Sequence, residues 1–388
     1  MFRRVYLDNS ATTQVDERVL EAMLPYMTEI YGNASSIHLF GQQARSAVDK
    51  ARHQVAQLLN SRPNEVIFTS GGTESNNLAI RGLCLANQHH GKHIIISAIE
   101  HPAVASVCED LEKEGFETTR LPVYENGVVR LNDVENAIRD DTILISVMVA
   151  NNEIGTLQPV EEIGRLVKIR RSNGQKIWFH TDAVQAAGKE TVDVEAIGCD
   201  LLSISGHKIH APKGIGALYV RRGTRLRSQN IGGRQERGIR AGTESVPSIV
   251  ALGTAAELAI QDISHSTTET KGRRDRLERM ILEQIPNSQI NGDLERRLPN
   301  ITNISFADVE GEALLINLDM HGIAVSTGSA CSSGSIEPSP VIKALGVSDI
   351  QARSAIRFSL GRFNTDDDVS RLLDVLPNAV ENIRSLSK

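Results

Sequence analysis

The chain has 388 residues and a formal net charge of −6, with 40% hydrophobic and 23% charged residues, which predicts about two globular domains. Its Lys and Arg residues are scattered and outnumbered by acidic ones, so we expect no nucleic-acid partner. No apolar run approaches the roughly 18 residues of a membrane span, and the start MFRRVYLDNSATT has no apolar segment behind its arginines, so we expect a cytoplasmic protein without membrane contact.

Short β-branched runs alternate with longer amphipathic segments in the first part of the chain. The predicted strands are EVIFTS, HIIISA, TILISVMVA, KIWFH, DLLSIS and GIGALYV, and the predicted helices cover 73–86, 102–114, 131–139 and 160–171. Because strands and helices alternate, we predict an α/β fold with a mostly parallel sheet.

The pattern changes at residue 247, where a helical segment begins that runs to about residue 285. It is followed by a strand at NITNISFA, a helix from residue 310, a strand near AIRFSLG and a final helix. We interpret this part as a smaller α+β domain, with the long helix as the bridge. The predicted large domain is 15–259, and the predicted small domain combines 1–14 with 260–388.

The cysteines Cys84, Cys108, Cys199 and Cys331 are far apart and form no C-x-x-C pair, which argues against a disulfide framework or a thiolate zinc site. The first three lie in or beside predicted elements and are interpreted as small buried hydrophobes. Cys331 stands in STGSACSSGSIEPSP, whose Gly, Ser and Pro content favours a mobile loop with a reachable thiol. A lone loop cysteine ordinarily has no chemical role.

Polar residues follow two of the predicted strands. Lys208 ends SISGHK, and a lysine at the end of a buried strand is partly desolvated, which favours the neutral amine needed for a Schiff base, although most loop lysines are solvated. Asp182 follows KIWFH and is either a helix N-cap or the carboxylate that a pyridoxal-phosphate (PLP) enzyme places against the pyridine nitrogen. His180 and Asp182 have no third ligand at metal-binding spacing, so we predict no metal.

SGGTESNN at 70–77 stands between a predicted strand and a predicted helix. Glycines and a threonine at a helix start expose N–H groups and a hydroxyl at the positive end of the helix dipole, as an anion site requires. The alternative is a glycine turn with an ordinary cap. His89, His90 and His93 are interpreted as solvated loop or strand-edge residues.

Together, SGGTESNN, AIEHPAV, HTDAVQ, SISGHKIHAPKG, RQERGIRAGTESV, STGSACSSGSIEPS and SAIRFSLGRF resemble, in this order, the cysteine desulfurases of the NifS/IscS type. The long segment around Cys331, without a His-His-Cys sequence, is similar to this branch and not to the SufS branch. Ala211 stands where many relatives have Gly. The resemblance implies a fold-type I PLP enzyme of the class V aminotransferase superfamily, and a homodimer with active sites near the subunit interface.

The resemblance also implies roles around the cofactor, which the large domain would bind. Lys208 matches the lysine that binds pyridoxal 5′-phosphate, and Asp182 matches the carboxylate at the pyridine nitrogen. His101 matches the histidine that stacks on the ring, where an imidazole also moves protons. Gln185 matches the residue that hydrogen-bonds the phenolic oxygen. The implied phosphate ligands are Thr73, Ser205, His207 and, from the other subunit, Thr243.

Substrate contacts follow from the same resemblance, and the small domain would carry two of them. Arg357 matches the arginine that holds the substrate carboxylate, a role that suits a guanidinium because it can form two parallel hydrogen bonds to a carboxylate. Asn152 in NNEIGT matches a contact to substrate and cofactor. Cys331 matches the cysteine that receives sulfur as a persulfide.

The implied activity converts L-cysteine to L-alanine and passes sulfur from Cys331 to an acceptor protein such as an iron–sulfur scaffold, for iron–sulfur cluster assembly or another sulfur-transfer pathway. A selenocysteine lyase or a related PLP-dependent aminotransferase shares everything except a committed role for Cys331. A sulfur-relay or scaffold protein with vestigial cofactor chemistry is a further alternative, against which the set Lys208, Asp182 and Thr73 argues.

Overall fold

A computed structural model describes residues 4–328 and 338–386 of the protein, so Cys331 lies outside the described residues. The strands are β1 Val5–Tyr6, β2 Val66–Thr69, β3 His93–Ser97, β4 Glu117–Leu121, β5 Thr142–Ser146, β6 Trp178–Asp182, β7 Leu201–Ser205, β8 Gly216–Val220, β9 Ser288–Ile290, β10 Ile301–Phe306, β11 Ile323–Ala324 and β12 Ala355–Ser359. The α-helices are α1 Glu17–Met23, α2 Pro25–Thr28, α3 Leu39–Leu58, α4 Gly72–Asn87, α5 Pro102–Glu112, α6 Leu131–Ala137, α7 Val160–Ser172, α8 Val194–Ile197, α9 Val246–Gln284, α10 Gly311–Met320, α11 Pro340–Ala344, α12 Asp349–Arg353 and α13 Asp366–Leu386.

The large sheet has seven strands in the order β2-β8-β7-β6-β5-β3-β4. β8 runs antiparallel to β2 and β7, and the other neighbouring pairs are parallel. Every residue of β3, β5, β7 and β8 is buried, because helices cover both faces, as in other parallel sheets. This arrangement confirms the predicted α/β class and brings the ends of β6 and β7 to one edge of the sheet.

The smaller sheet is antiparallel in the order β12-β10-β9 and packs into a separate apolar cluster with α10 and α13. The long helix α9 contributes to both clusters, with Ile249 and Leu252 in the large one and Leu277 and Ile281 in the smaller one. The start of the chain joins the smaller unit, since β1 pairs with β11. These contacts agree with a bridging helix, while the boundary at residue 260 stays a prediction.

One histidine expectation is wrong. His93 is fully buried at the start of β3, where its ring nitrogens lie 2.7 and 2.8 Å from the hydroxyls of Thr142 and Thr119. Threonine hydroxyls of the neighbouring strands therefore provide the hydrogen bonds that solvent was expected to provide. In this way the buried histidine has no unpaired polar group.

The expectation about apolar runs, but not the one about membrane contact, needs correction. By length and composition, Val246–Ser264 within α9 is apolar enough to cross a membrane, whereas the sequence analysis found no run of that length. In the structure, α9 packs against α3 and α1, and apolar residues from this stretch belong to the large cluster. Core helices of globular proteins pack in the same way.

Candidate active site

A cavity of about 280 Å³ lies where the ends of β6 and β7 meet the start of α4. The predicted site residues that line it are Thr73, His101, Asn152, Asp182, Gln185, Ser205, His207, Lys208 and Arg357. Residues far apart in the chain thus meet at one edge of the sheet, which is the usual ligand position in α/β proteins.

Lys208 projects into this cavity from a 3-10 turn, Gly206–Lys208, that directly follows β7. Its Nζ donates hydrogen bonds to the carbonyl oxygens of Ser10 and Ala11, the latter at 2.7 Å. The segment after β1 therefore holds the amine inside the cavity, a contact that the sequence analysis did not foresee.

Asp182 is the last residue of β6 and is buried. Its Oδ1 accepts a hydrogen bond from the backbone N–H of Val184 at 2.9 Å, and its Oδ2 accepts one from Nδ2 of Asn76 at 2.6 Å. These two hydrogen bonds fix the orientation of the carboxyl group at the cavity wall. Asn76 was missed because SGGTESNN was interpreted as an anion site or a capped glycine turn, and neither interpretation gives a role to its asparagines.

His101 is the N-cap of α5, and its Nδ1 accepts the backbone N–H of Ala103 at 3.0 Å. In the neutral ring the proton is therefore on Nε2. Burial lowers the pKa of His101, the charge of Lys208 lowers it further, and Asp182 opposes them. The structure thus favours a neutral imidazole at the cavity wall, able to donate from Nε2.

The anion site is built from the start of α4 and the end of β7. Gly72 is the first residue of α4, and a Cβ added there would lie 2.8 Å from Val184 and 3.5 Å from Ser205, so glycine keeps this corner open. His207 also lines the cavity. Burial lowers the pKa of His207 to about 4, and the charge of Lys208 lowers it further. N–H groups, hydroxyls and a neutral imidazole suit a phosphate.

Several buried polar atoms at the cavity have no hydrogen-bond partner among residues 4–328 and 338–386. They are Ser10 Oγ, Asn76 Oδ1, Gln185 Oε1 and Arg357 Nε. An unpaired buried polar atom costs about 1–3 kcal/mol, so this group fits a polar ligand that completes it. An anionic carboxylate, an amine and an anion site in one cavity fit pyridoxal phosphate.

Arg357 is buried in β12. Its Nη2 pairs with Asp8 Oδ1 at 2.7 Å, and its Nη1 donates to the carbonyl oxygen of Asn152 at 2.9 Å. These two contacts fix the plane of the guanidinium at the cavity. Asp8, in the YLDNSATT segment, is a further residue that the sequence analysis missed.

Thr243 is exposed and does not line this cavity. The segment before it is tied to the anion site, because Nε of Arg240 pairs with Glu74 Oε1 at 2.7 Å, and Glu74 follows Thr73. Thr243 is therefore not a wall residue of the cavity in its own chain.

The described cysteines are poor nucleophiles. Cys84, Cys108 and Cys199 are fully buried, as predicted. Burial raises the pKa of the Cys108 thiol to about 12 and also raises the pKa values of Cys84 and Cys199. Cys331 lies outside the described residues and follows Gly328, which lines the cavity, by three positions in the sequence.

Comparison with known proteins gives four likenesses that each cover most of the chain. The Aminotransferase class-V family matches residues 5–372. A cysteine desulfurase from Nostoc sp. (strain PCC 7120 / SAG 25.82 / UTEX 2576) is 51% identical over 383 residues, covering 99% of this chain and 94% of that protein. A solved NifS-like protein superposes with a TM-score of 0.89 at 37% identity, covering 99% of both chains. The solved structure of SspA in complex with cysteine superposes with a TM-score of 0.81 at 37% identity, covering 93% of this chain and 100% of the other.

Proposed function

Because the chain belongs to the class-V aminotransferase family and is 51% identical over 383 residues to a cysteine desulfurase, we propose that it converts L-cysteine to L-alanine and retains the sulfur as a persulfide. The observation that carries this proposal is the single cavity of about 280 Å³ that unites Lys208, Asp182, the start of α4 and Arg357. An amine, a carboxylate for the pyridine nitrogen, a phosphate site and an arginine for the substrate carboxylate are parts that this reaction needs in addition to the acceptor thiol.

The described residues would supply contacts to the phosphate, the pyridine nitrogen and the phenolic oxygen of pyridoxal 5′-phosphate. Thr73, Ser205 and His207 would hold its phosphate at the start of α4. Asp182 would keep a proton on the pyridine nitrogen. Nε2 of Gln185 donates one hydrogen to the carbonyl oxygen of Ser10 at 3.0 Å, and its second hydrogen would be the one donated to the phenolic oxygen. The bound cofactor supplies an electron sink for the electrons released at the substrate Cα.

The remaining residues bind the substrate and move protons. The guanidinium of Arg357, oriented by Asp8 and Asn152, would pair with the substrate carboxylate. The amine of Lys208 would accept the Cα proton, and His101 Nε2 would donate to groups beside the ring. Sγ of Cys331 would attack the substrate sulfur, so that an S–S bond forms, the C–S bond breaks and the thiol proton passes to Cβ. The proton held by Lys208 then returns to Cα, which completes alanine.

The assembly and the destination of the sulfur belong to the same proposal. We infer a cytoplasmic homodimer that passes its persulfide to an acceptor protein such as an iron–sulfur scaffold. The net charge of −6 and the scattered basic residues support the absence of a nucleic-acid partner.

The first test of this function separates it from its PLP-dependent alternatives. The purified protein with PLP should form alanine from L-cysteine, and sulfide in the presence of a thiol reductant, without any keto acid. An aminotransferase needs a keto acid to complete its cycle, and a selenocysteine lyase prefers selenocysteine over cysteine. Alanine formation that depends on added keto acid would contradict the proposal.

The homodimer is tested by complementation between subunits. Thr243→Ala should weaken cofactor retention about tenfold or more, because a phosphate ligand from the partner is lost. When Thr243→Ala and Lys208→Ala subunits are mixed, one site of a heterodimer has both defects and the other has neither. Recovery of activity is expected, and no recovery despite verified subunit exchange would show that Thr243 acts within its own chain.

A further inference from the structure

Glu153 is a buried acidic residue that the proposed reaction does not use. It stands directly after Asn152 in the sequence, and it is not among the described residues that line the cofactor cavity. Its backbone N–H group and that of Ile154 donate to Oδ1 of Asn151 at 2.8 and 3.1 Å, which fixes the turn that carries it. Burying a carboxyl group is costly unless it is hydrogen-bonded, so the partners of this side chain indicate its purpose.

One partner of the carboxyl group is Ser339, whose side chain is also buried. Oγ of Ser339 donates to Oε2 of Glu153 at 2.6 Å. The same Oγ accepts the backbone N–H groups of Val341 and Ile342 at 3.2 and 3.3 Å, as the N-cap of α11. A hydroxyl has one hydrogen to donate, and Glu153 receives it. Glu153 therefore fixes the residue that begins α11.

The same carboxyl oxygen lies against Gly328. A Cβ added at Gly328 would lie 2.5 Å from Oε2 of Glu153, and the φ of Gly328 is +91°, which glycine adopts readily. The N–H group of Gly328 donates to Oγ of Ser326 at 3.1 Å, and Ser326 exchanges backbone hydrogen bonds with Arg357 in β12. Glu153 thus lies against two anchor residues, Gly328 and Ser339.

Arg357 connects this contact with the proposed substrate site. Nη1 of Arg357 donates to the carbonyl oxygen of Asn152, the residue before Glu153, at 2.9 Å. Burial raises the pKa of Glu153, while the hydrogen bond from Ser339 and the charge of Arg357 lower it. A carboxyl oxygen accepts a hydrogen bond in either protonation state. The contact with Ser339 therefore requires the hydrogen bond and not the charge.

We propose that Glu153 is a positioning residue for sulfur transfer, because it holds together the two anchor residues between which Cys331 stands in the sequence. Cys331 follows Gly328 by three positions and precedes Ser339 by eight. A nucleophile must be aligned with the atom it attacks, and small displacements of its supporting residues slow the reaction strongly. The inference rests on the proposed role of Cys331, and it assigns Glu153 to the sulfur-transfer step and not to cofactor binding.

Glu153→Ala removes the acceptor for Ser339 and opens space beside Gly328. At saturating L-cysteine, the rate at which sulfur appears on the peptide that contains Cys331 should fall at least about tenfold, measured by mass spectrometry after rapid quenching. The affinity for PLP and the half-saturating concentration of L-cysteine should change by less than about twofold, because Arg357 keeps both of its partners. Glu153→Gln keeps an acceptor for the Ser339 hydroxyl, so its rate should lie within about threefold of the wild type.

Ser339→Ala and Ser348→Ala are a matched pair, because each serine is the N-cap of a five-residue helix. Ser348 is exposed and accepts the N–H group of Gln351 at 3.2 Å. Both variants lose a cap, but Ser339→Ala also loses the hydrogen bond to Glu153. Ser339→Ala should therefore slow sulfur transfer about fivefold or more, whereas Ser348→Ala should leave the rate unchanged.

Three results would overturn the inference. They are an unchanged rate of sulfur transfer in Glu153→Ala, a loss of PLP or L-cysteine binding in that variant as large as the loss of transfer, and equal rates in the two serine variants. The second result would show that Glu153 only stabilises the fold. The serine pair decides the matter even where Glu153→Ala does not fold.

Hydrogen exchange separates failure of this inference from failure of the proposed function, because it needs no turnover. In the PLP-loaded protein, the amides at the start of α11 should exchange about tenfold faster in Glu153→Ala than in the wild type, and at the wild-type rate in Glu153→Gln. A wild-type protein that places no sulfur on Cys331 would reject the proposed function, whatever the exchange rates. Sulfur on Cys331 together with unchanged exchange in Glu153→Ala would reject the role of Glu153 alone.

Discussion

Lys208→Ala should reduce alanine formation from L-cysteine by at least about a thousandfold, since it removes the amine proposed to bond to the cofactor and to accept the substrate proton. The start of α4 with Thr73, Ser205 and His207 remains, so the variant should still bind PLP without a covalent link. Borohydride should then attach no pyridoxyl group to the variant. The rate of alanine formation and the mass of the reduced protein measure both effects.

Two further variants separate chemistry from structure. Lys208→Ala also leaves the carbonyl oxygens of Ser10 and Ala11 without this donor, and that alone destabilises a buried site. Lys208→Arg keeps a cationic donor but cannot form the covalent link, so it should fold like the wild type and still be inactive. Lys168→Ala, at an exposed position of α7, should be fully active. Substantial turnover by Lys208→Arg would reject the assignment.

Residues at the ends of strands were the most predictable part of the site. β6 and β7 were recognised from their apolar runs, and parallel strands place their ends at one edge of a sheet, so Asp182 and Lys208 were expected near each other. The structure brings them to one cavity. The anion site was predictable for the same reason, because a glycine pair between a strand and a helix leaves N–H groups exposed.

Partners of those residues were not predictable, because the contacts join distant parts of the chain. Asn76 reaches Asp182 across 106 positions, and Asp8 reaches Arg357 across 349. Local periodicity carries no information about such pairs. The expectation for His93 was wrong for a related reason, since the hydroxyls that hydrogen-bond its ring nitrogens belong to neighbouring strands.

The helix α3 was not among the predicted helices. Its buried face includes Ala44, Ala47 and Ala51, and it packs closely on α9. A Cβ added at Gly253 of α9 would lie 2.6 Å from the Cα of Ala51. Small residues at these two positions therefore allow the helices to approach closely, and this contact between distant parts of the chain is visible only in the fold.

Cys331→Ser is the change that distinguishes a desulfurase from other PLP enzymes. A hydroxyl cannot accept sulfur as a persulfide, so sulfur transfer should fall to background, by at least about a thousandfold. Lys208, Asp182 and Arg357 are unchanged, so the variant should still bind PLP covalently and bind L-cysteine. Cofactor absorbance, with and without cysteine, and the rate of alanine formation measure these two results separately.

Mass spectrometry of the wild type identifies the acceptor directly. After brief exposure to L-cysteine, one added sulfur should appear on the peptide that contains Cys331. The other cysteines act as internal controls, because burial raises the pKa values of Cys84, Cys108 and Cys199 and keeps their thiols protonated, whereas the thiolate is the nucleophile. Sulfur on one of those three, or undiminished desulfuration by Cys331→Ser, would reject Cys331 as acceptor and favour a lyase or aminotransferase that needs no cysteine of its own.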